Sequence, residues 1–422
     1  MEPTFFPITG YKPVLISFPN HASAIVLPMS QKRMPACGKA GGEDDANEMN
    51  TASALHQDAL VFDAHSDTLL RVADKNYQLA DRHTEGDMDL PRMREGGLDV
   101  AGLAIFVHPR KHEGRIRERT LQLFQALERQ LDLNSDLMTL ARTTAEAETI
   151  VAKGKIAIFV GLEAGDAIQD SLDLLREYYE RGVRYMTLTW INSNNWAGSS
   201  GESEKKQGMT DFGFKVVEEM NRLGMMVDLS HASDETVRDA LRVSAQPMIL
   251  SHSCSRSLCN IPRNIPDDLA QAIAERGGVV GVNYCLDYLD ASFGERIKAL
   301  RDQFAPREKE LREHYKDEPE VLQQHLEALR TERKQAAACF LAARSDYRIV
   351  VDHIDHFVRL LGIDHVGLGS DFDGVEYFPS GLEDVTKLPC LTEEMQARGY
   401  DEVAIRKILG GNFMRVFRKV IG

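Results

Sequence analysis

The sequence of 422 residues predicts an α/β fold in which eight parallel strands close into a (β/α)8 barrel of the TIM type. Three observations support this prediction. Short apolar runs rich in β-branched residues alternate with amphipathic stretches, the runs are eight in number, and the alternation continues from Leu60 almost to the end of the chain. A doubly wound open sheet consists of the same βα units, so it stays open as the alternative.

The predicted strands are apolar runs that are short and bounded by polar or turn-forming residues. In chain order they are Leu60–His65, Val100–Val107, Ile156–Leu162, Tyr185–Trp190, Met225–Ser230, Met248–Ser251, Val279–Tyr284 and His365–Ser370. The stretches between them have apolar residues at helical spacing, which predicts helices that pack one face against the barrel. The clearest are Thr120–Leu131, Ser171–Arg181, Asp211–Leu223, Ser233–Val243 and Pro266–Glu275.

Residues 291–346 interrupt this alternation after the seventh predicted strand. The segment is dense in Lys, Arg, Glu and Gln, with leucines at helical spacing, and Asp317, Glu318 and Pro319 divide it into two parts. We therefore predict two helices that form a hairpin. A solvated surface insertion is the simpler interpretation of such a charged segment, and a lid over a functional site is the alternative.

The first 53 residues lack the βα pattern, so we expect an irregular or disordered extension there and place the barrel, with its insertion, at residues 54–422. The apolar pieces near the N-terminus are interrupted by Pro19 and preceded only by Lys12, which does not fit a secretory signal. No apolar run is long enough to span a membrane, and the basic C-terminal residues do not fit an anchor signal. These features predict a cytoplasmic protein.

Composition narrows the class of partner. Hydrophobic residues make up 43% of the chain, which suffices for a large core, and the formal net charge is −15 at pH 7. So acidic a chain does not attract nucleic acid or an anionic membrane surface; we therefore expect small-molecule partners, and a homodimer stays open. The six cysteines form no CxxC pair and no disulfide pattern, which favours buried or free thiols in a reducing compartment.

Side chains that can bind metal follow five of the eight predicted strands. In a barrel enzyme the C-terminal ends of the strands gather around one mouth, where the catalytic groups lie. Side chains alternate along a strand, so His65 and Asp67 at the end of the first run point to the same side and suit one metal ion. The other donors at strand ends are Glu163, His231, His252 and Asp371.

Each of these residues alone has an ordinary structural explanation. A histidine after a strand is often a hydrogen-bonded structural residue, Glu163 could cap a helix, and Asp371 could belong to the turn at Asp373-Gly374. Together, however, they give the mixture of nitrogen and oxygen donors that zinc prefers. Three histidines and two carboxylates are too many for one four-coordinate ion, so the set predicts two ions that share a bridging carboxylate and a bridging hydroxide.

Eight short motifs follow one another in a specific order, although no single one is decisive. They are His65-Ser66-Asp67, Gly161-Leu162-Glu163, Tyr185-Met186-Thr187-Leu188-Thr189, Asp228-Leu229-Ser230-His231, Ser251-His252-Ser253, Arg263-Asn264-Ile265-Pro266-Asp267-Asp268, Gly367-Leu368-Gly369-Ser370-Asp371-Phe372-Asp373-Gly374 and Ile408-Leu409-Gly410-Gly411-Asn412-Phe413. In this order they resemble the membrane dipeptidase (renal dipeptidase) family of zinc peptidases. The resemblance covers the chain from about Leu60 to its end, apart from the charged insertion.

The resemblance implies a barrel of the metal-dependent hydrolase type that hydrolyses dipeptides with a free C-terminal carboxylate, often with a tolerated D-residue on the C-terminal side. It implies two zinc ions per chain, the first held by His65 and Asp67, the second by His231 and His252, with Glu163 bridging both. Asp371 would touch the bridging hydroxide that attacks the peptide bond. Arg263 would bind the C-terminal carboxylate of the substrate.

Chemistry supports these implied roles. A zinc-bound water can have a pKa near 7, and zinc can polarise the scissile carbonyl. Asp371 can take a proton from the attacking group and pass it to the leaving amine. The guanidinium of Arg263 matches a carboxylate with two parallel hydrogen bonds, although a surface ion pair with Asp267 or Asp268 is its alternative.

Trp190 departs from the pattern of vertebrate members of the family, which carry a histidine directly after the Thr-Leu-Thr run. That histidine is thought to contact the carbonyl oxygen of the substrate, and bacterial relatives are similar to this chain in having tryptophan and asparagines here. Trp190 offers one N–H donor and a broad apolar face, so we expect a narrower pocket that favours compact side chains. Barrel-mouth packing alone is its alternative. Two further residues complete the expected substrate-binding set: Asn192, which follows the fourth predicted run, and Tyr284, which ends the seventh.

Other functions stay open at this point. A different metal-dependent amidohydrolase on the same barrel, either an N-acyl amino acid hydrolase or a deaminase, has a similar ligand set. A nucleobase deaminase has no need of a carboxylate-binding arginine, so Arg263 favours the dipeptidase over it. A non-catalytic binding barrel is the third hypothesis, but every predicted ligand and Asp371 are present in the sequence.

Overall fold

The computed structural model describes residues 52–205 and 207–422. The prediction of an irregular extension over residues 1–53 therefore lies, except for its last two residues, outside the described residues and stays a prediction. The nine strands are β1 (Phe62–Ser66), β2 (Val100–Phe106), β3 (Met138–Leu140), β4 (Ile156–Glu163), β5 (Val183–Thr187), β6 (Met226–Asp228), β7 (Ile249–Ser253), β8 (Val279–Val282) and β9 (Val366–Leu368).

Eight of these strands form a closed parallel barrel in the order β1-β2-β4-β5-β6-β7-β8-β9, because β9 also pairs with β1. All eight correspond to predicted strands, so the barrel is confirmed and the open doubly wound alternative is wrong. The short strand β3 was not predicted. It pairs with the first residues of β4, whose later residues pair with β5. Three residues are too few to show a period in the sequence.

Helices surround the barrel. The first covers residues 52–58 (α1). The others are α2 (Thr68–Asp74), α3 (Leu90–Glu95), α4 (Ile116–Leu133), α5 (Thr144–Ala152), α6 (Leu172–Glu180), α7 (Asp211–Leu223), α8 (Asp234–Val243), α9 (Asp267–Glu275), α10 (Leu286–Leu289), α11 (Ala291–His314), α12 (Pro319–Leu341), α13 (Arg348–Leu361), α14 (Pro389–Ala397), α15 (Glu402–Arg406) and α16 (Asn412–Ile421).

Local sequence signals explain where several helices begin and end. The side chains of Thr210 and Ser233 accept hydrogen bonds from backbone N–H groups in the first turns of α7 and α8. Gly224 ends α7 in the left-handed conformation, which costs glycine little. These helices lie within two residues of the predicted stretches Asp211–Leu223 and Ser233–Val243.

Two apolar layers hold the barrel together. Residues such as Ile158, Val160 and Leu162 of β4 belong to the large cluster that the helices also enter, whereas Ala157 and Phe159 belong to a second cluster with Phe413 and Phe417 of α16. Alternate residues of β4 therefore serve different layers, as the two-residue period of a strand requires. Glu163 continues the Ala157–Phe159 series, so its side chain points into the barrel above this second cluster.

The predicted helical hairpin after the seventh barrel strand is present as α11 and α12. Phe293, Ile297 and Phe304 of α11 pack with Leu329 of α12 in a small cluster of their own. Ion pairs anchor the hairpin to the loops after β8 and β9: Arg301 contacts Asp287 at 2.6 Å, and Arg333 contacts Glu376 at 3.1 Å. Among the helices that the structure describes, none combines the length and the apolar character needed to cross a membrane.

Candidate metal centre

The five predicted metal ligands meet at one end of the barrel. His65 and His252 lie within β1 and β7, and Glu163 ends β4. Asp67 directly follows β1, and His231 lies in the turn after β6. All five are buried, with at most 5% of any of them exposed. Local sequence alone put them at strand ends, and closure of the barrel brings them together.

Glu163 is the centre of this group. Its Oε2 lies 3.3 Å from Nε2 of His65, and its Oε1 lies 3.0 Å from Nε2 of His231 and 3.7 Å from Nε2 of His252. The two carboxylate oxygens thus face different histidines. This geometry suits a carboxylate that bridges two cations.

The donor atoms form overlapping groups of three that fit metal ions. His65, Asp67 and Glu163 make one group, Glu163, His231 and His252 make a second, and Asp371 joins His65 and His252 in a third. Within the described part of the chain, several of these buried atoms make no hydrogen bond: both ring nitrogens of His65, Oδ1 of Asp67, Oε2 of Glu163 and Nδ1 of His231. Buried polar atoms rarely lack partners, so their convergence here fits a metal-binding site.

The charges of the site agree with this interpretation. Burial and the neighbouring carboxylate of Glu163 raise the pKa of Asp67 well above its ordinary value. Burial opposes protonation of His65, but Glu163, Asp67 and Asp371 outweigh it and raise its pKa to about 10. Burial lowers the pKa of His231 to about 4. Asp67 and His65 both hold a proton more strongly than usual because negative charge is concentrated around them, and positive ions stabilise such a cluster.

The backbone is distorted where it presents these side chains. An irregularity between Asp63 and Ser66 adds one residue to β1 relative to β2. His231 and Asp371 adopt the left-handed conformation, with φ of 69° and 62°, which non-glycine residues rarely do. Such strain is tolerated mainly at functional sites. Gly374 is required for a different reason, since a Cβ atom there would overlap the carboxylates of Asp371 and Asp67.

Hydrogen bonds behind the ligands fix their orientation. The hydroxyl of Ser251 lies 2.7 Å from Nδ1 of His252, which turns Nε2 of that ring toward Glu163. The carboxylate of Asp228 accepts backbone N–H groups of Ser230 at 2.9 Å and Ser251 at 3.0 Å, which ties β6 to β7. These contacts were not predicted, because serine and aspartate beside a ligand give no signal in one sequence. In known metal sites, hydrogen bonds of this kind fix the orientation of the ligands and raise their affinity for the metal.

Asp371 lies beside the ligand group, as predicted, and a residue that sequence reasoning missed holds it there. The side-chain amide of Asn283 donates to Oδ2 of Asp371 at 2.8 Å. The backbone N–H of Cys285 donates to Oδ1 of Asn283, which fixes the orientation of the amide. Burial raises the pKa of Asp371 above its ordinary value. Asn283 is the residue before the last in the seventh predicted run, Val279–Tyr284, so its position was the available signal.

The structure does not group Tyr284 with the metal ligands. Its side chain is fully buried, and its ring packs edge to face against Phe372 at 5.7 Å. The alternation of side chains explains the difference, since Asn283 and its neighbour Tyr284 point to opposite sides. The role of Tyr284 in substrate binding stays a prediction.

Arg263 lies next to the ligand His252 and has hydrogen-bond donors to spare. Its Nη2 donates to the backbone carbonyl of His252 at 2.8 Å, and its guanidinium lies 5.4 Å from the ring centre of Tyr288. Its Nε and Nη1 are buried and make no hydrogen bond within the described residues. The two aspartates considered as alternative partners of Arg263 pair with other residues: Asp267 contacts His356, and Asp268 contacts Arg238.

Trp190 and Asn192 lie in the loop that follows β5, and both are half-buried. The Trp190 ring contacts the rings of Phe106 and His108, each at 4.8 Å between centres. Asn194, a neighbouring asparagine, instead shapes the loop, since its amide donates to the carbonyl of Leu188 at 2.9 Å. Trp190 thus lines the mouth on the side of β2 and β5.

A closed parallel barrel whose strand ends gather histidines and carboxylates around one shared glutamate defines a metal-dependent hydrolase. The family model for membrane dipeptidase (peptidase family M19) matches residues 49–421. The chain belongs to this family, which confirms the resemblance seen in its motifs and its class as a metallo-dipeptidase.

Known proteins show the same relationship. Dipeptidase 3 of Mus musculus is 33% identical over 380 residues, covering 87% of this chain and 66% of its own length. Dipeptidase 3 of Homo sapiens is 32% identical over 380 residues, covering 87% and 67%. The chain therefore spans about two thirds of the length of these relatives.

Solved structures agree in fold. The probable dipeptidase PvdM of Pseudomonas aeruginosa has a TM-score of 0.74 and 27% identity, covering 89% of this chain and 98% of its own. A metallopeptidase of Rhodobacter sphaeroides, solved with a phosphinate mimic of the dipeptide L-Ala-D-Ala, has a TM-score of 0.69 and 26% identity, covering 86% and 100%. Membership of a metallopeptidase family implies that activity depends on metal.

Proposed function

We propose that the chain is a zinc-dependent dipeptidase that hydrolyses dipeptides with a free C-terminal carboxylate and tolerates a D-residue at that end. The observation that carries the proposal is the buried guanidinium of Arg263, with two unused donors, beside a ligand group centred on Glu163. The dipeptide mimic bound to the Rhodobacter sphaeroides relative supports the substrate class.

Two zinc ions are the proposed cofactor. His65 and Asp67 would hold the first, His231 and His252 the second, and Glu163 both, in keeping with the two groups that share Glu163. Imidazole and carboxylate ligands in this mixture suit zinc better than magnesium or calcium. When bound, the ions supply a water of lowered pKa and polarise the scissile carbonyl.

Arg263 positions the substrate in this mechanism. A guanidinium binds a carboxylate through charge-assisted hydrogen bonds, and the unpartnered Nε and Nη1 of Arg263 leave a donor free on each edge of the group. Because Nη2 is already held by the carbonyl of His252, the guanidinium is fixed relative to the ligand group before substrate arrives. Fixed placement of this kind lowers the entropic cost of orienting the peptide bond.

Asp371 moves the proton. It would accept a proton from the attacking water and donate it to the leaving amine, so that the peptide C–N bond breaks as a free amino group forms. Asn283 occupies Oδ2 of Asp371, which leaves Oδ1 as the oxygen that holds the transferred proton. Trp190 and Asn192 would contact the substrate from the loop after β5.

The expected partners are small dipeptides, with neither nucleic acid nor a membrane involved, and a homodimer stays an open alternative. The cytoplasmic location also stays a prediction.

The experiment that tests the proposal compares kcat/KM of the zinc-loaded enzyme for L-Ala-L-Ala, L-Ala-D-Ala, L-Ala-L-Ala amide, N-acetyl-L-alanine and cytosine. We expect hydrolysis of both free dipeptides and poor hydrolysis of the amide. Faster turnover of N-acetyl-L-alanine would favour the N-acyl amino acid hydrolase, whose substrate carboxylate Arg263 would bind equally well. Turnover of cytosine alone would favour the deaminase, and equal rates on the amide would remove the role of Arg263.

A further inference from the structure

Three aromatic side chains form one wall of the barrel mouth: Phe106, His108 and Trp190. Phe106 ends β2 and pairs in register with Glu163 of β4, so both side chains lie on the same face of the sheet. The Phe106 and Trp190 rings are 4.8 Å apart, and His108, two residues beyond Phe106, lies 4.8 Å from Trp190. This aromatic wall therefore rises next to the central ligand Glu163.

The aromatic wall lies across the mouth from Arg263. In the ring of eight barrel strands, β2, which leads to Phe106 and His108, is four positions from β7, the greatest separation that the ring allows, whereas β5, which precedes Trp190, is two positions from β7. Arg263 is bound to the carbonyl of His252 in β7, and Glu163 lies between the two sides. A dipeptide that leaves its carboxylate at Arg263 and its scissile bond at the ligand group must extend its N-terminal residue toward the wall.

His108 gives this apolar wall a directed hydrogen-bond donor. The backbone N–H of Lys111 donates to Nδ1 of His108 at 3.3 Å, so in the neutral ring the hydrogen is on Nε2. Burial and the positive charges of Lys111, Arg110 and Arg312 lower the pKa of His108, which favours this neutral form. A side chain with an acceptor group is the partner that such a donor requires.

Arg312 belongs to the hairpin, and its positive charge acts on His108. It lies near the end of α11, whose 24 residues span about 36 Å, whereas the base of the hairpin is anchored beside β8 and β9. Its side chain is 54% exposed and pairs with Glu308 at 2.6 Å. The pair uses Nε and Nη2 of Arg312, and an exposed pair of this kind is weak, so the guanidinium can turn to a ligand at little cost.

We propose that the aromatic wall and Arg312 form the subsite for the side chain of the dipeptide's N-terminal residue, and that this subsite selects aspartate or glutamate. The methylene part of a glutamate side chain packs against Phe106 and Trp190, and its carboxylate accepts from Nε2 of His108 and faces Arg312. The inference rests on the proposed dipeptidase activity and names the substrate class of that same site.

The experiment measures kcat/KM of the zinc-loaded full chain for Ala-Ala, Glu-Ala, Gln-Ala, Leu-Ala and Lys-Ala. The variants are Arg312→Gln, Arg312→Lys and His108→Phe, with Lys309→Gln as the matched control on the same helix. We expect the native enzyme to prefer Glu-Ala to Gln-Ala by roughly tenfold, and to lose part of that preference in high salt.

Each variant removes a different contribution. Arg312→Gln should lower the ratio of Glu-Ala to Gln-Ala by about threefold, the size expected of an exposed charge, and Arg312→Lys should restore it. His108→Phe keeps the ring but not the donor, so it should lower Glu-Ala and Gln-Ala together by about tenfold relative to Leu-Ala. Lys309→Gln should leave all rates and ratios unchanged.

The outcomes separate the inference from the proposed function. A native preference for Leu-Ala or Lys-Ala over Glu-Ala would overturn the acidic subsite, and so would an Arg312→Gln variant that changes all five rates equally. Both results would leave the dipeptidase activity standing. Hydrolysis of none of the five dipeptides would overturn the proposed function, and the subsite with it.

Discussion

The proposed chemistry depends on single side chains around the barrel mouth, and Arg263 is one whose role can be tested directly. Arg263→Met should raise KM and lower kcat/KM for Ala-Ala by about 1.5–3 kcal/mol, roughly ten- to a hundredfold, because charged hydrogen bonds to the carboxylate are lost. The same variant should hydrolyse Ala-Ala and its amide at similar rates. Arg238→Met is the control, since Arg238 forms an exposed pair with Asp268 at 3.5 Å. A variant that still discriminates against the amide would contradict the assignment.

Asp371 allows a separate test of proton transfer at the same scale. Asp371→Asn keeps the size of the side chain but cannot shuttle a proton, so kcat should fall by about a hundredfold to ten thousandfold. Zinc content should not change, since the two ligand groups that share Glu163 are complete without Asp371. Elemental analysis and kcat on the same preparation check this. Loss of zinc together with activity would show that Asp371 is instead a ligand.

The sequence predicted the ligands but not the residues that orient them. His65, Glu163 and His252 could be predicted because metal-binding side chains at successive strand ends form a pattern. Asn283 could not be predicted, since an asparagine after a strand has many uses and its hydrogen bond to Asp371 depends on how β8 and β9 meet. The direction of a side chain at a strand end also depends on one residue of register, which separates Asn283 from its neighbour Tyr284.

At the scale of elements, the strands were predictable because each is a continuous apolar run between turns. The irregularity in β1, between Asp63 and Ser66, was not, since it arises from pairing with β2. The hairpin of α11 and α12 was predictable from leucines at helical spacing, but its contacts were not. Arg301 and Arg333 bind acidic residues in two different loops, and only the folded chain brings those together.

The hairpin should affect the substrate range without affecting the metal centre. The candidate ligand groups among the described residues include none from α11 or α12. Trimming Lys309 to Lys334 should therefore leave zinc content intact while changing the ranking of dipeptide substrates by about three- to tenfold, or changing the association state. Zinc analysis, a dipeptide panel and sedimentation check this. A folded trimmed protein that has lost zinc would contradict it.

At the scale of the whole molecule, closure of the barrel is what no local signal predicts. The same βα units fit an open sheet, and only the pairing of β9 with β1 and of β2 with β4 closes the ring. Closure also places Arg263 and the aromatic wall on opposite sides of the mouth. Residues far apart in sequence thereby become the two ends of one binding site.

Stability of the whole chain should depend on pH partly through His353, which is 1% exposed in α13. Burial lowers its pKa to about 4 from 6.5, and its Nδ1 accepts the backbone N–H of Ser255. A lowered folded pKa means that the unfolded chain binds the proton first, so stability is lost as pH falls from 6.5 toward 4. The slope is at most about 1.4 kcal/mol per pH unit.

Urea unfolding of the zinc-loaded enzyme between pH 7 and pH 4.5 measures this slope. His353→Gln should lower stability at pH 7 but flatten the decline with acid, whereas His314→Gln, on the exposed end of α11, should change neither. An unchanged slope in His353→Gln would assign the acid sensitivity to other groups.

The most direct test of the central claim is to strip the metal and return zinc stepwise while measuring bound zinc and the rate of L-Ala-D-Ala hydrolysis together. The five ligands arranged around Glu163 predict that activity reaches its maximum at two zinc ions per chain. His231→Ala should then bind one ion and have almost no activity. Full activity of the native chain with one zinc ion, or with none, would contradict the account.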